Sequence, residues 1–205
     1  MGTRNSILSA VAILVVAGAS FPVFAAPVLI YGGEFDLPIP KLDIHDPCIT
    51  KGWMEDAIIE IPDHFNIYDL DVRISVTHTS VFDLQIFLQS PSGIETCLNM
   101  YDFEEFFKGQ DYIGTIFDDE AETPIEQGEP PFTGRFKPEA GYLLEVFDGQ
   151  DAYGPWRLRI NDAYYNDTGN LNHFELMITA PEPTTAVLLT FGIGLLALSK
   201  PNRSS

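Results

Sequence analysis

The stretch LDVRISVTHTSVFDLQIFLQSPSG, residues 70–93, decides the fold. Leu70, Val72, Ile74 and Val76 alternate with Asp71, Arg73 and Ser75, so an extended chain puts the apolar side chains on one face and the polar ones on the other. A helix of about 3.6 residues per turn would scatter both sets around its surface. The alternation resumes with Leu84, Ile86 and Leu88, then stops at Ser90, Pro91, Ser92 and Gly93, a run that favours a turn. Two half-apolar strands in succession predict a sheet with one buried face.

Further strands are expected on either side, at residues 57–61, 94–98, 114–117 and 142–147. Two longer ones follow. PWRLRIND, residues 155–162, turns Trp156, Leu158 and Ile160 inward, and LNHFELMIT, residues 171–179, turns Phe174, Leu176 and Ile178 inward. About eight strands with Gly, Pro, Asp and Asn between them, and no amphipathic helix, predict an all-β protein built as an antiparallel β-sandwich. The sandwich is expected over residues 56–180. Residues 26–55, with prolines and acids in 27–47, read as an extended lead-in.

An apolar content of 45% in 205 residues is enough for a core, so disorder is not expected. The net charge of -19 repels nucleic acid and anionic lipid, and suits divalent cations instead. Residues 1–25 read as a signal peptide: Arg4, an apolar run over residues 7–19, then Val23, Phe24 and Ala25 where signal peptidase cuts. A membrane anchor is the alternative, but the run is shorter than the roughly 20 residues a spanning helix needs. In an oxidising compartment Cys48 and Cys97 can pair as a disulfide; the other reading is two buried thiols.

Residues 181–205, PEPTTAVLLTFGIGLLALSKPNRSS, place Pro181, Glu182 and Pro183 before a short apolar helix that ends in Lys200 and Arg203. At about 1.5 Å per residue the apolar run over residues 186–199 reaches roughly 21 Å, against a hydrocarbon core of about 30 Å. The order of tripeptide, short helix and basic end resembles the PEP-CTERM sorting signal of Gram-negative bacteria. That resemblance implies processing by an exosortase, export, and delivery to the cell envelope or extracellular matrix, with membrane contact only through this segment before cleavage.

The ordered motifs THTSVFDLQIFLQSPSGIETCL, GTIFDDEA, PPFTGRFKPE and FDGQDAYGPWRLRINDAYYNDTGNLNHFELMI resemble the P domain, also called P/Homo B, of the proprotein convertases. The matching positions include His78, Asp83, Asp118, Asp119, Gly154, Trp156, Asp167 and Gly169; Phe82 and Pro155 depart from the usual pattern. The resemblance implies an eight-stranded jelly roll that sits behind a subtilisin-like serine protease and supports its folding.

No catalyst is expected. A subtilisin-type triad needs a domain of roughly 250 residues, and a sandwich leaves no room for one. None of His45, His64, His78 and His173 lies in a G-x-S-x-G or H-E-x-x-H setting, and His78 reads as a cross-strand polar contact. The acidic loops are the remaining candidates. Asp118 and Asp119, followed by Asp83, Asp148 and Asp151, could supply oxygen ligands to calcium, because loops rich in Asp, Asn and Gly bring carboxylates and carbonyls together. Asp162 and Asp167 mark a third such loop. Solvated turns are the competing reading, since the same residues build turns. The expected role is structural or adhesive, in an exopolysaccharide layer; the alternative is an accessory domain for a separate subtilisin-like protease.

Overall fold

The computed structural model describes residues 26–41, 52–100, 109–164 and 167–181. Residues 1–25, read above as a signal peptide, Cys48, and residues 182–205 of the expected sorting signal, with Glu182 and Pro183, lie outside the described residues. Nine strands are present among the described residues: β1 (Val28–Ile39), β2 (Ala57–Ile61), β3 (Asp69–His78), β4 (Leu84–Gln89), β5 (Glu95–Asn99), β6 (Tyr112–Phe117), β7 (Arg135–Phe136), β8 (Gly154–Asp162) and β9 (Gly169–Thr179). They form a five-stranded sheet in the order β1-β9-β3-β6-β7 and a four-stranded sheet in the order β2-β8-β4-β5. Neighbours run antiparallel except β6 and β7.

Register turns the alternation into a core. In the first sheet Leu70 lies opposite Ile178, Val72 opposite Leu176 and Ile74 opposite Phe174. In the second, Ile86 lies opposite Ile160 and Leu88 opposite Leu158. All ten side chains are buried. A one-residue slip would send each set to the solvent face, so the apolar pattern itself fixes the pairing. Trp156 is fully buried, meets Phe147 edge to face with centroids 5.1 Å apart, and donates its ring N–H to the Ala152 carbonyl at 2.9 Å. Complete burial of a side chain of this kind stabilises by about 1.5–3 kcal/mol.

Two expectations change. Residues 28–39 of the expected lead-in are a strand at the edge of the five-stranded sheet, paired along β9. Its sequence hides this, because only Ile39 is buried outright, while Tyr31, Phe35 and Leu37 pack part-buried against the core and Gly33 leaves one inward position without a side chain. Residues 142–147 are not a strand. Leu144–Phe147 is a 3-10 turn whose two buried side chains, Leu144 and Phe147, are three apart. Three-residue spacing suits that turn, whereas a strand would send the two to opposite faces.

Candidate functional site

The starts of β1 and β3 and the ends of β6 and β9 come together at one end of the five-stranded sheet, and there they form an open cleft of about 660 Å³. Pairing explains the convergence: Asp69 of β3 and Val28 of β1 both lie opposite Thr179 of β9, and Arg135 of β7 lies beside Ile116 of β6. Five carboxylates line the cleft, from Asp69, Asp71, Asp118, Glu120 and Asp148, against the single guanidinium of Arg135. Tyr68, 69% exposed, and Val28 add an aromatic and an apolar flank.

Arg135 organises the inner wall. Its Nη1 donates to Asp71 at 2.8 Å and to Asp118 in a short contact. Asp118 is 6% exposed, and its other oxygen accepts the backbone N–H of Glu120 at 2.7 Å, closing a turn directly after β6. Hydrogen bonds to Asp118 and Asp71 hold the guanidinium more firmly protonated than usual. The excess of acid shows in the other direction. Burial, with repulsion from Asp118 and Asp69, pushes the Asp71 carboxyl above its ordinary range despite Arg135. Burial raises Asp148 too, with Asp69, Asp119 and Glu145 adding to it, and Glu120 is raised by burial and by its neighbour Asp118.

The expected calcium ligands do not converge. Asp118 and Asp148 line the cleft. Asp119 follows Asp118 in the chain, but its two oxygens accept the backbone N–H groups of Leu144 and Glu145 at 3.0 and 2.8 Å and so cap the 3-10 turn. Asp83 lies just before β4, near Asp162 and Asp167. Asp151 accepts from His64 at 2.7 Å, and the His64 ring stacks on Tyr153 at 4.0 Å. Among the described residues no three His, Cys, Asp or Glu side chains are grouped to hold a metal ion. Asp118 is engaged by Arg135 and the Glu120 amide, and Asp119 by the amides of Leu144 and Glu145. Cys97 is buried on β5, its expected partner Cys48 being outside the described residues.

Sequence reasoning missed Asp69, Asp71, Tyr68 and Arg135. The signal was present in the polar half of the β3 alternation, where Asp69 and Asp71 share a face. What was not readable is that β7, two residues long, sets a guanidinium against that face. His78, read as a cross-strand polar contact, is buried and faces Asp162 of β8 in the other sheet at 3.5 Å.

The family model of the proprotein convertase P-domain matches residues 67–178, more than half of the chain. No curated protein matches. Among solved structures, a chain of the complex between the serine protease of Aeromonas sobria and the chaperone ORF2 is similar, with 16% identity, a TM-score of 0.45 and coverage of 78% of this chain. The Aeromonas sobria serine protease by itself gives 16% identity, a TM-score of 0.43 and 82% coverage. This chain spans 28% and 29% of those two chains.

Proposed function

Because this chain belongs to the proprotein convertase P-domain family, a family of non-catalytic accessory domains, we propose that it acts by binding, as an exported module of the cell envelope or exopolysaccharide matrix. The observation that carries the binding reading is the cleft, where five carboxylates face one guanidinium beside an exposed Tyr68. Such a surface attracts a cationic group and repels an anionic one. Calcium enters as a bridge between the rim carboxylates Asp69 and Asp148 and the anionic groups of a polysaccharide, not as a ligand of Asp118 and Asp119. Export rests on the N-terminal apolar run and on the segment starting at Pro181, Glu182 and Pro183, with signal peptidase and an exosortase as processing enzymes. Pairing of Cys48 with Cys97 belongs to the same reading.

The test is binding of the purified protein to matrix from the producing cells, with calcium and with chelator. Retention that needs calcium and falls with Asp69→Asn plus Asp148→Asn supports the proposal. No retention in either condition overturns it. Family membership favours a second reading, in which the module stabilises a separate subtilisin-like protease. Under that reading the protein slows thermal inactivation of such a protease and leaves matrix binding at background.

A further inference from the structure

The 3-10 turn that leads into Asp148 is apolar on two sides. Three-residue spacing sends Leu144 and Phe147 into the core and returns Val146, with Leu143 just ahead of the turn, to the surface. A turn that only closes a sandwich needs apolar side chains on its inner side alone. The outer pair has company. Tyr142 stands next to Leu143, and Ile94 lies in the turn between β4 and β5; all four side chains are between 37% and 44% exposed. Polar bonds hold the two turns side by side. Thr96 Oγ1 donates to the Leu143 carbonyl at 3.1 Å, and Gln150 reaches both ways, accepting from the Ser92 hydroxyl at 2.9 Å and donating to the Val146 carbonyl at 2.6 Å. Asp119 caps the 3-10 turn, and the Ser90 N–H closes on the Ile94 carbonyl at 2.8 Å. The four apolar side chains therefore form one fixed patch.

We propose that this patch is the docking face for a second protein, one that presents apolar side chains ringed by lysine or arginine. An exposed apolar cluster with a polar rim is the mark of such a face. Charge selects the partner. The two segments that build the patch, residues 90–96 and 139–151, carry Glu95, Glu139, Glu145, Asp148 and Asp151 and no Lys, Arg or His. Arg159 answers Glu95 and His64 answers Asp151, each at 2.7 Å, while Glu145 and Asp148 meet no base among the described residues. A second copy would set like charges against each other at a net charge of -19 per chain, and anionic lipid is repelled in the same way. Three of the four side chains are aliphatic, which suits the apolar core of a protein interface better than the hydroxyls of a sugar. The bonds beneath hold both turns before any partner arrives, so little freedom is lost on binding. None of the four lines the cleft, so this partner is additional to whatever the cleft binds.

Photo-crosslinking of the full chain in the producing cells tests this, with benzoylphenylalanine in place of Leu143 or, as a control, of Ile58, which is exposed on β2 at the opposite edge of the four-stranded sheet from β5. Light should join the first to another protein and the second to none. The captured protein is then purified and titrated against the parent and against Val146→Asp and Glu145→Lys. Both side chains are exposed, so the thermal midpoint should stay at the parent's value. Affinity should fall about tenfold or more with either substitution, and weaken as salt is added. Equal affinity for parent and variants would overturn the docking face, as would an adduct formed from Ile58 as readily as from Leu143. Adducts only between two copies, adducts only to lipid, or no adduct at all overturn it as well.

Discussion

At the scale of single residues, Arg135 matters more than its half-exposed side chain suggests. Its guanidinium is 49% exposed, yet the Asp71 and Asp118 side chains it serves are only 14% and 9% exposed. Arg135→Ala would leave two largely dehydrated carboxylates side by side. Charge-assisted hydrogen bonds in this setting contribute about 1–3 kcal/mol together, with the lower end favoured by solvent around the guanidinium. The expected outcome is a lower urea midpoint with an unchanged slope. The deficit should shrink on acidification, since Asp71 already sits above the ordinary carboxylate range and protonates early. A deficit equal at neutral and mildly acid pH would mean that Arg135 stabilises through its methylene stem instead. Residue roles were the least legible level of the sequence. Asp118 and Asp119 could be singled out as unusual, but an adjacent pair carries no sign of whether an ion, an arginine or a backbone amide will take the charge. The folded chain divides them, giving Asp118 to Arg135 and Asp119 to the turn at Leu144.

At the scale of elements, strands whose inward side chains are fully buried and apolar were legible, and β1, whose inward side chains before Ile39 are only half-buried, was not. β3, β4, β8 and β9 each bury alternate apolar side chains for most of their length, so their period states their fate. β1 lies at an edge, where one side of the strand has no neighbour to specify its residues. Its entry into the sheet depends on Gly32. At φ 129 a side chain is strained, and a Cβ would stand 2.1 Å from the Phe174 carbonyl oxygen of β9. Gly32→Ala should therefore lift β1 from β9, costing about 2–3 kcal/mol, and amide exchange should accelerate along both strands before any other. Gly33 also has a positive φ but open space around its Cβ position, so Gly33→Ala carries the strain without the collision and should cost less. Equal losses would show that backbone strain, not the close approach to β9, sets the requirement. The 3-10 turn offers a parallel case. Asp119→Ala removes the acceptor for two backbone amides, and about 1–2 kcal/mol should go with it, read as a fall in thermal midpoint that Asp119→Asn partly restores. Full restoration by alanine-tolerant packing, with no fall at all, would leave the cap without energetic weight.

At the scale of the whole molecule, charge decides how stability answers to pH. The chain carries a net charge of -19, and folding crowds part of it at both ends of β3. Asp71, Glu120 and Asp148 at the cleft, and Asp83 at the far end, all have carboxyls raised above their ordinary range, with burial the leading cause in each. A carboxyl raised in the folded state binds its proton more tightly there than in the unfolded chain. The stability it contributes is fully present below the unfolded value and is lost as pH rises through the folded one. For Asp83 that window runs from the ordinary 3.8 up to about 6. Asp151 works in the opposite sense, held down by its hydrogen bond from His64, but it is fully exposed and counts for little. Acidification through the same window also lowers the self-repulsion of a strongly acidic surface. The thermal midpoint should therefore rise as pH falls from neutral toward about 5, the reverse of a protein held together by carboxylate ion pairs. Asp83→Asn should flatten the part of that slope near pH 6, because an amide keeps the neutral form at every pH. Added sodium chloride should raise the neutral-pH midpoint toward the acid one by screening the same charges. A midpoint that falls on mild acidification would mean that the ion pairs of Arg135, Arg73 and Arg159 with their acids outweigh the crowded carboxyls.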